Sequence, residues 1–139
     1  MRYLGLMVLV ALVVAAGATA AAQKGGSLHA TLLGNAETPK GDRDGRGTAE
    51  IKITGRRVCW EIHVSKVQTI VAAHIHKGKA GVAGPVVVPF GTHYKSKGCT
   101  TTTAAIAAAI ERNPAAYYVN VHNAKYPGGA LRGTLRSDG

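Results

Sequence analysis

The sequence is poor in carboxylates and in aromatic side chains. Of 139 residues, 7 are Asp or Glu and 5% are Phe, Trp or Tyr. The glutamates are dispersed along the chain, which argues against the paired acids of a glycosidase. The few aromatic residues argue against a stacking platform for single-stranded nucleic acid. No serine lies in a nucleophile-elbow motif. These absences disfavour common hydrolase classes and nucleic-acid binding.

Long apolar runs are also scarce, and the one that stands out lies near the N-terminus. It extends from Leu4 to Ala16 and follows the positive charge of Arg2. This length suits the core of a signal peptide and is short for a bilayer span. Small residues at 18–22 fit two cleavage patterns, after Ala20 or after Ala22. We therefore predict a signal peptide over residues 1–22 and no membrane span after cleavage, with an uncleaved anchor as the alternative.

Cysteine is limited to two residues, Cys59 and Cys99. Both remain after the predicted cleavage. A cysteine pair in an exported chain is typical of one disulfide, and the alternative is two free thiols. The prediction is a secreted or periplasmic protein with a Cys59–Cys99 bond.

Positive charge is what the sequence has in excess. The formal net charge is +10, and the predicted cleavage removes Arg2 alone among the charged residues. This charge predicts an anionic extracellular or envelope partner, while simple solubility is the alternative. The basic residues are scattered, with Arg56-Arg57 as the longest run, so no nucleic-acid-binding arm is indicated.

Alternating apolar and polar residues, separated by Gly, Pro and Asn turns, predict a mainly β domain over residues 27–136. An alanine-rich stretch ended by Asn113-Pro114 predicts one short helix. Short strands at regular spacing favour an antiparallel β-sandwich of about seven strands. The predicted strands are 27–33, 48–54, 57–64, 69–76, 85–90, 116–122 and 130–136, and the predicted helix is 101–112.

Histidines form the most distinctive pattern. In the strand segment Ala73-His74-Ile75-His76 the two imidazoles point to one side and Ile75 points to the core. In Val119-Asn120-Val121-His122, Asn120 and His122 lie opposite two core valines. If the two strands are neighbours, three imidazoles converge as ligands of a copper or zinc ion.

Two questions about this cluster stay open from the sequence. His93 and His63 are both candidates for a fourth ligand. The alternative to metal binding is structural, with His74 and His122 supporting the glycine-rich loop at residues 77–84.

Several motifs together, in order, resemble the CHRD domain family. Coverage extends from about Ser27 to Leu135. Lys40 is a mild departure, because small or apolar residues are commoner after the family's proline. The motifs are Leu33-Gly34-Asn35-Ala36-Glu37-Thr38-Pro39, residues 45–51, Val58-Cys59-Trp60, residues 73–78, residues 81–88, Asn113-Pro114, residues 117–122 and residues 126–133.

The resemblance implies an immunoglobulin-like β-sandwich that works outside the cell, and it implies no activity. The His-x-His strand before a glycine loop also resembles, distantly, copper/zinc superoxide dismutase. That likeness implies His74, His76 and His122 as metal ligands, His93 as a fourth, and copper as the cofactor. It also implies Arg132 as an anion-steering residue, with pairing to a loop carboxylate or carbonyl as the alternative role.

Two functions therefore stand side by side. The first is a non-catalytic extracytoplasmic binding or structural module with no certain cofactor. The second is a copper-binding protein with a superoxide dismutase-like histidine site.

Overall fold

The computed structural model describes residues 26–138, so the predicted signal peptide lies outside the described residues. The described chain contains nine strands and one α-helix, α1, besides two single-turn 3-10 helices. The strands are β1 (Ser27–Leu33), β2 (Arg46–Thr54), β3 (Arg57–Ser65), β4 (Ile70–Lys77), β5 (Val86–Pro89), β6 (Lys97–Thr101), β7 (Tyr117–Asn123), β8 (Leu131–Thr134) and β9 (Arg136–Ser137), and α1 is Ala104–Arg112.

All strand pairs are antiparallel, and they join into one continuous sheet. The order is β5-β4-β7-β8-β1-β2-β3-β6, with β9 also paired to β1. The sheet curls until its two ends approach each other, and the rings of Trp60 and Phe90 stack at 4.5 Å between those ends. The fold is therefore nearly barrel-shaped.

The prediction of a mainly β fold with one helix is confirmed, whereas the seven-stranded sandwich needs correction. The chain forms one curled sheet of eight to nine strands rather than two packed sheets. One extra strand is β6, which pairs with β3. The second is β9, because the predicted last strand is divided into β8 and a short β9 that pairs with β1. Both depend on partners distant in sequence, which local alternation does not reveal.

Alternation places one apolar row of each strand inside the curl. In β2, Ala49, Ile51 and Ile53 are buried while the residues between them are partly or fully exposed. The tight turn into β3 contains Gly55 with a φ of 58°, a conformation that glycine adopts without steric cost. The interior contains isoleucine, valine and leucine side chains together with Trp60 and Phe90.

The helix begins later than predicted. Thr103 is its N-cap, and its hydroxyl accepts a hydrogen bond from the backbone N–H of Ile106 at 3.1 Å. The preceding residues, Lys97–Thr101, pair with β3 instead. Asn113 and Pro114 end the helix as predicted, and Ile110 anchors it to the core.

A disulfide joins β6 to the sheet. Cys59 and Cys99 are bonded and lie directly opposite each other on β3 and β6. The predicted pairing is confirmed in the structure. Among residues 26–138, no helix is long and apolar enough to cross a membrane.

Candidate metal centre

Three histidines meet on the outer face of β4 and β7. The two strands are neighbours, with Ala72 opposite His122 and His74 opposite Asn120. One nitrogen each from His74, His76 and His122 lies within 4.8 Å of the others. Nδ1 of His74 is 3.1 Å from Nε2 of His122. Within the described part of the chain, this is the one group of three or more potential protein ligands this close together.

Backbone carbonyls orient two of the rings. Nδ1 of His76 lies 2.8 Å from the carbonyl of Gly84, and Nδ1 of His122 lies 2.9 Å from the carbonyl of Pro127. Because a carbonyl only accepts, each Nδ1 carries a proton. In a neutral ring each Nε2 then presents a lone pair. Metal-binding histidines commonly donate their other ring N–H to a backbone carbonyl, which fixes the orientation of the ring.

Nε2 of His76 is a buried atom without a partner. It makes no hydrogen bond to any residue between 26 and 138. Buried polar atoms in folded proteins are normally paired, so this nitrogen inside a histidine cluster is one that can accept a ligand. The residues present therefore fit a metal ion that accepts imidazole nitrogen.

Burial favours the neutral form of His74 and His76. Burial, together with the nearby His122 and His76, lowers the pKa of His74 to about 4. Burial also lowers the pKa of His76, partly opposed by the hydrogen bond to Gly84. Neutral imidazole is the form that binds metal, so burial prepares the cluster for a cation.

A buried ion pair lies beside the histidines. Nε and Nη2 of Arg132 donate to Oε2 of Glu37 at 3.0 and 2.9 Å, and both side chains are almost fully buried. Nη1 of Arg132 donates to the carbonyl of Val82 at 2.8 Å. The guanidinium also lies 3.9 Å from the ring centre of Tyr118, whose ring stacks on His76. The pair thus lies beside the histidines on the same face of the sheet and contacts them through Tyr118.

Asn120 connects the ion pair to the histidines. Its Nδ2 donates to Oε1 of Glu37 at 3.3 Å, and its Oδ1 lies 3.0 Å from Nε2 of His122. Gly129 makes room for Glu37, because a Cβ at that position would overlap with Oε1 of Glu37. The arrangement links loop 34–45 to the centre of the cluster.

The other residues singled out from the sequence lie elsewhere or act differently. His93 is exposed beside a surface cavity formed with Trp60, Phe90 and Lys95, and it is not part of the described three-histidine group. His63 is exposed and pairs with Glu61 at 3.2 Å. Arg132 contacts a loop carboxylate and a loop carbonyl. These contacts correspond to the structural role that was the alternative to anion steering.

Sequence reasoning missed Glu37 as a partner of this site. It noted that Asn120 shares a face with His122, but it assigned Asn120 no function. A usable signal was present in β7, where polar residues alternate with core valines and where both faces turn out to be buried. Glu37 carries no such signal, because it lies 95 residues before its partner Arg132.

Comparison with known families identifies the domain. A family model described as "CHRD domain" matches residues 28–135. Comparisons with curated proteins and with solved structures gave no significant match. Since the match covers more than half of the chain, from within β1 to the residue after β8, the chain belongs to the CHRD domain family.

Proposed function

We propose that this chain is an exported CHRD module that binds a ligand rather than catalysing a reaction. The family is typically extracellular, and the disulfide agrees with an oxidising compartment. The N-terminal charge, apolar run and small residues add the prediction of export. The net charge of +10 favours anionic polymers of the envelope as partners.

Export is tested by expressing the full chain beside a Leu9→Arg variant, which places a charge in the apolar run. The native chain should appear outside the cytoplasm, with an N-terminus at residue 21 or 23 by mass spectrometry. The variant should be retained with its N-terminus uncleaved. Retention of the native chain in the cytoplasm would contradict export.

A second candidate function is supported by one specific observation, the convergence of three imidazole nitrogens within 4.8 Å. We infer that the ligand of the module includes one transition-metal ion held by His74, His76 and His122. Copper and zinc both accept neutral imidazole, and copper is the ion that the superoxide dismutase likeness implies. This inference keeps the module non-catalytic, since binding alone accounts for the geometry described.

The structural alternative explains less of the geometry. Histidines that only support loops would satisfy both ring nitrogens with protein groups. His76 and His122 each have a carbonyl on one nitrogen, and the other nitrogen is directed into the cluster. The orphaned Nε2 of His76 is the feature that a support role leaves unexplained.

Metal binding is tested by calorimetric titration of Cu(II) and Zn(II) into the purified protein, prepared without a polyhistidine tag. One ion per chain is expected, with binding abolished in His74→Ala/His76→Ala. The matched control is His29→Ala/His63→Ala, which removes two histidines from β1 and β3 and should bind as the native protein does. Native-like binding by the first variant would exclude this site.

A further inference from the structure

An amide oxygen lies beside the three-histidine cluster. Oδ1 of Asn120 is 3.0 Å from Nε2 of His122. His74 lies directly opposite Asn120 in the pairing of β4 with β7, and Nδ1 of His74 lies 3.1 Å from the same Nε2 of His122. Asn120 is 1% exposed, so no bulk water competes for this oxygen. The cluster is therefore a group of three nitrogens and one amide oxygen.

Hydrogen-bond donors are too few at this point of the network. Nδ1 of His122 gives its proton to Pro127, so Nε2 of the neutral ring is an acceptor. Oδ1 of Asn120 is an acceptor as well, and the two atoms face each other at 3.0 Å. Two acceptors at this distance repel unless a proton or a cation lies between them.

Exchanging the positions of Oδ1 and Nδ2 of Asn120 does not remove the repulsion between two acceptors. Nδ2 of Asn120 would then face His122, but Oδ1 would face Oε1 of Glu37, which is also an acceptor. The other oxygen of this carboxylate, Oε2, is paired with Arg132. The carboxylate therefore fixes the amide with its oxygen toward the histidines. A carboxylate behind the amide also polarises it and increases the negative charge on Oδ1.

The spacing agrees with shared coordination. Ligands that lie about 2.0–2.2 Å from one ion are separated by about 2.9–3.5 Å at angles between square and tetrahedral. The Asn120–His122 contact of 3.0 Å and the His74–His122 contact of 3.1 Å both fall in this range. Both distances are therefore compatible with two ligands of one ion.

We propose that Oδ1 of Asn120 is the fourth protein ligand of the histidine site, in the place that His93 was expected to take. This inference rests on the proposed metal function and adds the kind of ion. Three imidazoles with an amide oxygen form an N3O set without sulfur, which suits a divalent ion of the Zn(II) or Cu(II) type. Cu(I), which favours sulfur ligands, is the poorer match.

The test compares Zn(II) and Cu(II) affinities of the native protein, Asn120→Ala and Asn123→Ala. Asn123 is the matched control, because it is equally buried on β7 and its amide contacts Gln68 and Tyr126 instead of the histidines. Asn120→Ala should lose at least about 10-fold in affinity for both ions, and Asn123→Ala should keep native affinity. Equal affinities for the native protein and Asn120→Ala would overturn the fourth ligand and leave the three-histidine site intact.

Two further results separate the possible failures. If the native protein binds neither ion, the metal function itself is wrong. If circular dichroism shows that Asn120→Ala does not fold, the test uses Asn120→Asp instead. The electron paramagnetic resonance spectrum of Cu(II) bound to this variant is compared with that of the native protein. A carboxylate oxygen in place of the amide should change the copper g and hyperfine values, and a spectrum identical to the native one would overturn the proposal.

Discussion

The outer faces of two parts of the same sheet differ sharply. On β3 and β6, the side chains of Glu61, His63 and Lys97 are 41%, 75% and 75% exposed. On the β4–β7–β8 side, Arg132 and its loop partner Glu37 are 4% and 0% exposed. Both regions bury apolar residues on the inner face. The second region also buries polar residues on the outer face, beneath loops.

The difference indicates which polar groups have a function. An exposed ion pair such as Glu61–Lys97 stays hydrated and costs the fold little. Buried polar groups lose their hydration, so they persist only when partners satisfy them. The histidine face contains such groups in a dense network, and its remaining unsatisfied atom in the described structure is the Nε2 that a metal ion would use.

The largest expected effect separates the two faces directly. Glu37→Ala leaves Arg132 as a buried charge without its partner, so the free energy of unfolding should fall by about 3–5 kcal/mol. Glu61→Ala on the exposed face should leave it nearly unchanged. Urea denaturation of both variants checks the contrast, and similar losses in the two would contradict it.

The disulfide provides the next largest effect. It lies on the β3–β6 side, so here the exposed region and not the histidine face carries the stabilising contact. Cys59→Ala/Cys99→Ala removes a bond between residues 40 apart in sequence and should cost about 2–4 kcal/mol. The histidine face lies on other strands, so metal affinity should not change at temperatures where the variant is folded. A parallel loss of metal affinity would show that the two regions are coupled.

Acidification should destabilise the metal-free protein by a smaller amount. The pKa of His74 is about 4 in the folded state, against 6.5 for the free side chain. Between these values the unfolded state binds a proton that the folded state does not, so stability falls as pH decreases from about 7 to about 4.

A loss of about 1–2 kcal/mol is expected for this half-buried group after allowance for solvent screening. Denaturation midpoints measured from pH 7 to pH 4 check it. The slope should become shallower in His74→Gln, and an unchanged slope in that variant would assign the effect to other groups.

Much of the fold follows from local pattern, and the exceptions have physical causes. Strands β1, β3 and β7 were predicted almost to the residue, because alternation with period two reports a half-buried face. Strand β6 was missed, because Lys97, Gly98 and Cys99 have no strand pattern of their own and become a strand through pairing with β3. Tertiary context overrides propensity at such a position.

The candidate site was predictable only in part. His74, His76 and His122 followed from strand alternation, and the pairing of β4 with β7 brings them together as expected. His93 was a candidate fourth ligand without a spacing that placed it near them, and it is exposed outside the three-histidine group. Glu37 and the carbonyls of Gly84 and Pro127 come from loops, and loop positions over a sheet are set by long-range contacts that local sequence does not encode.

The central claim is that His74, His76 and His122 together hold a metal ion. Its most direct test is a crystal structure of the protein loaded with Zn(II) or Cu(II), with anomalous data collected on either side of the metal absorption edge. The account predicts one anomalous peak among the three imidazoles and next to Oδ1 of Asn120. No peak there, or a peak at His29 or His93 instead, would contradict it.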